Sequence, residues 1–137
     1  MSFKMLFIAI FCLSVTFVAC HVTPNASRQI LSDCESVVTF DTLFLNLGTL
    51  KQGEEVGKAV WVKNVGDCPW VVEHLETACG CITVQYGRNP LPPKDSMQMQ
   101  ILFNSQGFNG QQIKMVTIFD NSSKKQHDLI VVANIEE

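Results

Sequence analysis

From Val37 onward, apolar residues recur mostly at a spacing of two, the period at which side chains alternate between the faces of an extended strand. Clusters of Gly, Asp, Asn, Ser and Pro interrupt the alternation at intervals of about eight to fifteen residues, as strand-turn-strand chains require. Val38, Phe40, Leu43, Leu45 and Leu47 are expected to form one first strand, ending at Gly48. A turn at Lys51-Gln52-Gly53-Glu54 then leads to a second strand, Val56 to Val65. In that strand Val56, Lys58, Val60, Val62 and Asn64 share one face, while Ala59, Trp61 and Lys63 share the other.

Pro69 opens a third strand, a place that suits a residue unable to donate to a ladder. Trp70 and Val72 point one way. Leu75 rejoins their face only if the alternation slips, which predicts a bulge near Glu73 and His74. Ile82, Val84 and Tyr86 give a short continuation after Cys79-Gly80-Cys81, and Arg88 to Asp95 is a proline-rich connection. Met97, Met99, Ile101 and Phe103 alternate with polar residues and mark a half-buried strand. Ile113 to Phe119 is apolar on both faces, as expected at the centre of a sheet, and Leu129 to Asn134 closes the domain. No stretch carries a sustained helical period. The expected fold is all-β: an immunoglobulin-like antiparallel β-sandwich of about seven strands over residues 37–137.

The hydrophobic fraction of the 137 residues is 47%, and much of it sits before the strands begin. Lys4 followed by the apolar run Met5 to Val18 reads as a signal peptide, because the run is too short to cross about 30 Å of hydrocarbon. Phe17-Val18-Ala19-Cys20 is similar to a bacterial lipobox, so residues 1–19 are expected to be cleaved and Cys20 to be the lipidation site. Several acyl chains, palmitate among them, would make that anchoring stable, since each buried methylene contributes about 0.8 kcal/mol. Residues 20–36, with Pro24, Asn25, Ser27 and Gln29, are expected to form a flexible tether. The acidic cluster that marks surface export in Bacteroidota lipoproteins is absent after Cys20. The expected location is therefore the cell envelope, on a periplasm-facing outer membrane.

A net charge of -3 from 10 basic and 13 acidic residues, scattered without runs, gives no electrostatic footprint for nucleic acid. The partners expected are the membrane, through the lipid, and other envelope proteins.

Between about residue 40 and residue 135 the chain resembles the bacterial domain-of-unknown-function family 1573, immunoglobulin-like domains of Bacteroidota envelopes. The resemblance rests on Leu47-Gly48-Thr49-Leu50, Gly53-Glu54, Val62-Lys63-Asn64-Val65-Gly66, Pro69-Trp70-Val71-Val72, Pro92-Pro93 and Phe103. Its most specific element is Ala78-Cys79-Gly80-Cys81-Ile82-Thr83, the family's Cys-Gly-Cys. Leu47 stands where the family has an aromatic residue, and Lys94 and Ala133 stand where it has glycines. The resemblance implies a major-sperm-protein-like or hydin-like sandwich, a fold that mostly serves noncatalytic binding, although fold does not fix function.

Removing Cys12 with the signal peptide and Cys20 to the lipid leaves Cys34, Cys68, Cys79 and Cys81 in an oxidising compartment. In an immunoglobulin-like layout the start of the first strand lies beside the turn between the second and third. That places Cys34 next to Cys68, and a disulfide is expected there. Cys79 and Cys81 project on one face if the backbone is extended, and Gly80 lets it bend without a side-chain clash. Three readings stand: a structural thiol pair or bridge, a labile disulfide with a redox role, and a thiolate pair for Cu(I). Zinc lacks ligands at matching spacing. Met97 and Met99 could extend a copper site, but their alternation explains them as core.

No cofactor is expected and no catalytic residue stands out. His21, His74 and His127 fall in tether, strand and turn, and neither a phosphate loop nor a nucleophile elbow is present. Asn64, on an apolar face just before Gly66, is expected to hydrogen-bond turn backbone. Asp41-Thr42-Leu43 and Asp95-Ser96-Met97 are similar to short O-glycosylation triplets of Bacteroidota. Trp61, facing outward, is a candidate contact. The chain thus reads as a noncatalytic, membrane-anchored binding or scaffolding module, with thiol-redox or Cu(I) handling at Cys79 and Cys81 as the alternative.

Overall fold

The computed structural model describes residues 34–137; the expected signal peptide, the expected lipidation site Cys20 and most of the expected tether lie outside the described residues. Eight strands follow one another: β1 (Val38–Phe40), β2 (Phe44–Lys51), β3 (Glu55–Asn64), β4 (Val72–Thr77), β5 (Ile82–Gln85), β6 (Ser96–Asn104), β7 (Gly110–Asp120) and β8 (Gln126–Glu136). They form two four-stranded sheets, β1-β3-β6-β5 and β2-β8-β7-β4. Among the described residues there is no helix. The all-β, immunoglobulin-like expectation therefore holds, with corrections of detail.

The first correction concerns the strand expected from Val38 to Leu47, which is two strands in different sheets. β1 runs antiparallel to β3, whereas β2 keeps the same direction and lies parallel to β8. Asp41 makes the switch. Its carboxylate accepts from the Thr42 and Trp61 amides at 2.7 and 3.0 Å, and the Thr42 hydroxyl donates to the Phe44 carbonyl at 2.9 Å. Side chains that satisfy turn backbone in this way let the chain leave one ladder and join another without orphaned groups. The sandwich consequently contains one parallel pair, which the antiparallel expectation missed.

β2 also carries a bulge between Asn46 and Thr49. Gly48 has a φ of 78° there, a backbone region that costs other residues about 1 kcal/mol or more. The bulge expected near Glu73 and His74 is present, with the register of β4 on β7 shifting between Val72 and His74.

The core lies between the sheets, as the period of two requires. Val60 and Val62 of β3, with Met99, Ile101 and Phe103 of β6, face Val116, Ile118, Leu129 and Val131 of the other sheet, all buried. Burying each such side chain contributes about 1.5–3 kcal/mol. Trp70 is fully buried between the layers, held by paired backbone bonds to Leu91 of 2.9 and 2.8 Å.

The sandwich has two poles. One holds Cys34, the β3–β4 connection and the loop after β7. The other holds the β2–β3 turn, Cys79-Gly80-Cys81 and the β6–β7 turn. Strands β3, β7 and β8 run from pole to pole, a length of about 30–35 Å at 3.3 Å per residue.

Residues 34–36, expected in the tether, are fastened to the domain. The Glu35 carbonyl accepts from the Asp67 and Cys68 amides at 3.0 and 3.3 Å, and the Val37 carbonyl accepts from Val65 and Gly66 at 2.8 and 3.1 Å. Gly66 allows this approach, since a Cβ there would collide with Glu35 O and Val37 N.

Candidate functional site

Cys34 and Cys68 are joined by a disulfide with a Cα–Cα separation of 5.3 Å. Close by, Asn64 is fully buried and its side-chain amide serves turn backbone, as its position predicts. Its Nδ2 donates to the Cys68 and Leu91 carbonyls at 2.7 and 3.0 Å, and its Oδ1 accepts from the Gly66 amide at 3.0 Å. Lys94 has a φ of 67°, the left-handed region that favours glycine, the residue that the resemblance places there. Its Nζ donates to the Val65 carbonyl at 2.9 Å and to Asp67 Oδ1 at 3.2 Å, closing the same turn from outside.

The same pole contains a buried polar cluster that the sequence reading missed. His127 is not in a turn but in β8, 5% exposed, with Asp120 and Ser122 equally hidden. Its Nε2 lies 3.3 Å from Asp120 Oδ2 and 3.4 Å from Ser122 Oγ. A nucleophilic relay needs the carboxylate on one ring nitrogen and the hydroxyl on the other; here both meet Nε2. Desolvation is the main influence on this imidazole and lowers its pKa, with the Asp120 charge pulling the other way. The signal was available, because His127 shares parity with Leu129, Val131, Ala133 and Ile135, the inward face of β8. The Phe40 ring packs on it with centroids 4.8 Å apart.

At the opposite pole Cys79 and Cys81 are bonded to each other, their Cα atoms 5.2 Å apart. They occupy the crossing from one sheet to the other. The Cys79 side belongs to the β4–β7 ladder, where Ala78 N donates to Met115 O at 3.2 Å; Cys81 belongs to the β6 side, its carbonyl accepting from Asn104 N at 2.9 Å. Both cysteines are half-buried against the core. With Gly80, Asn104, Gln106 and Phe108 they line an open depression of about 430 Å³. Gly80 departs from expectation. Its φ is not in the left-handed region and a Cβ would meet nothing within 4 Å, so neither strain nor crowding demands glycine.

His74 is exposed and stacks on Phe119 with centroids 4.2 Å apart. Met99 and Met97 pair with Val60 and Val62, toward the other end of β6 from Phe103, the partner of Ile82, so neither lies beside the cysteines. Among the described residues no group of three or more His, Cys, Asp or Glu is placed to hold a metal ion.

β7 is central in its sheet, but its second apolar face is uncovered. Ile113 and Met115 are 65% and 50% exposed, which corrects the expectation that apolarity on both faces meant burial on both. In cross-strand register Phe44, Ile130 and Met115 form one row, and Val132 and Ile113 the next. Trp61, on the other sheet, is 51% exposed.

A family model described as "Protein of unknown function (DUF1573)" matches residues 38–135, nearly all of the sandwich. The chain belongs to this family. No curated protein matches it. Among solved structures it is similar to a protein of unknown function from Porphyromonas gingivalis W83, at 22% identity and a TM-score of 0.65, covering 72% of this chain and 46% of that one. It is also similar to the PapD-like domain 7 of human CEP192, at 12% identity and a TM-score of 0.58, covering 75% of this chain and 87% of that domain. A third neighbour is the VesB protease of Vibrio cholerae, at 11% identity and a TM-score of 0.56, covering 73% of this chain and 32% of that one. This chain thus spans less than half of the Porphyromonas and Vibrio proteins. Likeness at such identities shows the fold alone: an immunoglobulin-like, PapD-like sandwich.

Proposed function

We propose that the chain is a noncatalytic envelope lipoprotein, anchored through Cys20, whose domain binds another envelope protein on the outer face of the β2-β8-β7-β4 sheet. The observation that carries the binding reading is the apolar island formed by Phe44, Ile130, Met115, Val132 and Ile113. It is an exposed apolar area on the order of a few hundred Å², the scale at which a patch marks an interaction site. Polar rows border it: Asp128, Thr117 and Glu76 on one side, Asn134 and Gln111 on the other. An apolar centre with a polar rim is the anatomy of a protein interface. The charged members of that rim, Asp128 and Glu76, are acidic, which opposes an anionic lipid surface and favours a protein. The lipobox at Phe17-Val18-Ala19-Cys20 supports the anchor.

Two arms test this reading in cells of the source type. A photo-crosslinking residue at position 113 should yield a discrete protein adduct that the same residue at Thr83, on the other sheet, does not. The adduct should vanish in a folded Met115→Asp variant. Equal labelling at both positions, or none, would remove the binding reading, and a Cys20→Ser chain that still incorporates fatty acid would remove the anchor.

A further inference from the structure

The two disulfides have nearly the same Cα–Cα separation, 5.3 and 5.2 Å, but close loops of very different size: their sequence separations are 34 and 2. A bond that closes a long loop removes much entropy from the unfolded chain, whereas one spanning a single residue removes less. On that account Cys34–Cys68 stabilises the fold about twice as much as Cys79–Cys81 does. Opening the second should leave the domain folded, because the strands on either side are held by their own ladders, β4 on β7 and β5 on β6.

A bond that adds less stability, yet lies at an accessible edge of the sandwich, fits a chemical role better than a structural one. Its surroundings agree. The depression it lines is open, and its other lining residues, Asn104, Gln106 and Phe108, carry no charge, so no like charge in the lining opposes the approach of a thiolate. Gly80 is exposed, with open space where a Cβ would be, so no other part of the domain obstructs an incoming group on that side.

We propose that Cys79–Cys81 is a thiol-exchange site that accepts two electrons, in one stoichiometric exchange per domain, from the dithiol of a partner protein. A partner thiolate attacks Sγ of one cysteine, the Cys79–Cys81 bond breaks, and its other sulfur leaves as a thiolate that takes up a proton. The partner's second thiol loses its proton and, as a thiolate, attacks the partner's own sulfur in the mixed disulfide, and the cysteine sulfur released takes up a proton. That step releases the partner as a disulfide and leaves Cys79 and Cys81 as two thiols. Two electrons pass from partner to domain, and the reverse sequence reduces a partner disulfide. The assignment does not rest on the binding face of β7 and β8, which lies on a sheet surface and not at this pole.

The test uses the full chain in graded mixtures of reduced and oxidised glutathione, with acid quenching, alkylation and peptide mass mapping to read each disulfide. Cys79–Cys81 should open at least about tenfold faster than Cys34–Cys68, as labile bonds do relative to structural ones. A Cys81→Ser chain should trap a one-to-one mixed disulfide with glutathione. A reduced dithiol peptide should become oxidised in step with loss of the Cys79–Cys81 bond. A Cys79→Ser/Cys81→Ser chain that melts normally should do neither. Equal resistance of the two disulfides to reduction, or a reduced pair that fails to exchange with glutathione, would overturn the proposal.

Discussion

Gly66 and Gly80 look equivalent in the sequence, each set in a short turn-like element, but they should respond very differently to alanine. At Gly66 a Cβ would strike Glu35 O and Val37 N and lie 3.1 Å from the Ser36 carbonyl carbon. All three are backbone atoms, so no rotamer change relieves the clash, and residues 35–37 must lift away. Four hydrogen bonds join that segment to the β3–β4 turn, with lengths of 2.8, 3.1, 3.0 and 3.3 Å. At about 1 kcal/mol net for each bond, their loss costs about 4 kcal/mol. The reduced freedom of the unfolded alanine chain returns about 0.5–1 kcal/mol, leaving about 3 kcal/mol. With a urea m-value of about 1 to 1.5 kcal/mol/M, the unfolding midpoint should fall by about 2 to 3 M. Gly80→Ala meets open space, so its midpoint should stay within about 0.5 M of the parent. Urea titrations of the oxidised chains, followed by tryptophan fluorescence, measure both. A Gly66→Ala midpoint within about 0.5 M of the parent would refute the close-approach argument.

Asn64→Ala removes three hydrogen bonds, to the Cys68 and Leu91 carbonyls and the Gly66 amide, although Leu91 O and Gly66 N each keep a backbone partner; at about 1 kcal/mol net per bond, a loss of about 3 kcal/mol is expected in the same titration. His127 gives a pH dependence. Its folded-state pKa is lowered, chiefly by desolvation, so the unfolded chain binds a proton first as pH falls through about 6.5. Stability is then lost progressively from that pH down to the depressed folded value, and His127→Gln should flatten the fall in midpoint between pH 7.5 and 5.5. The paired change Cys34→Ser/Cys68→Ser should cost about 4 kcal/mol on the loop-entropy account of a 34-residue separation, read as a lower melting temperature by calorimetry.

Much of the sandwich was legible because its strands are long and one-sided. β6 alternates throughout, and β3 does so from Val60 to Asn64, with inward residues that the period of two selects; Lys58, on the same parity, is exposed. The bulge in β4 was visible as a slip at Glu73 and His74, and Asn64 as a polar residue on an apolar face. What stayed hidden depended on tertiary placement. The apolar parity slips between Phe40 and Leu43, but a slip alone does not distinguish a bulge within one strand from the crossing between sheets that Asp41 makes, since both halves still bury one side. His127 was masked by the turn residues before it, Asn121 to Lys125. The double apolar character of β7 marked its central position correctly, yet periodicity carries no information about whether another layer covers the far face. Proximity of Cys79 to Cys81 was plain from spacing, but the open volume beside Gly80 was not.

The Cys34–Cys68 bond also decides how tension would enter the domain. A pull on the chain ahead of Cys34 divides at that bond, and its covalent branch arrives at Cys68, between β3 in one sheet and β4 in the other. Force is thus delivered to both layers at once. It bypasses β1, whose three ladder pairs with β3 would otherwise open in succession like a zipper. Cutting the bond by reduction redirects the whole load onto β1, so the rupture force of a stretched molecule should drop under reducing conditions before any other strand yields.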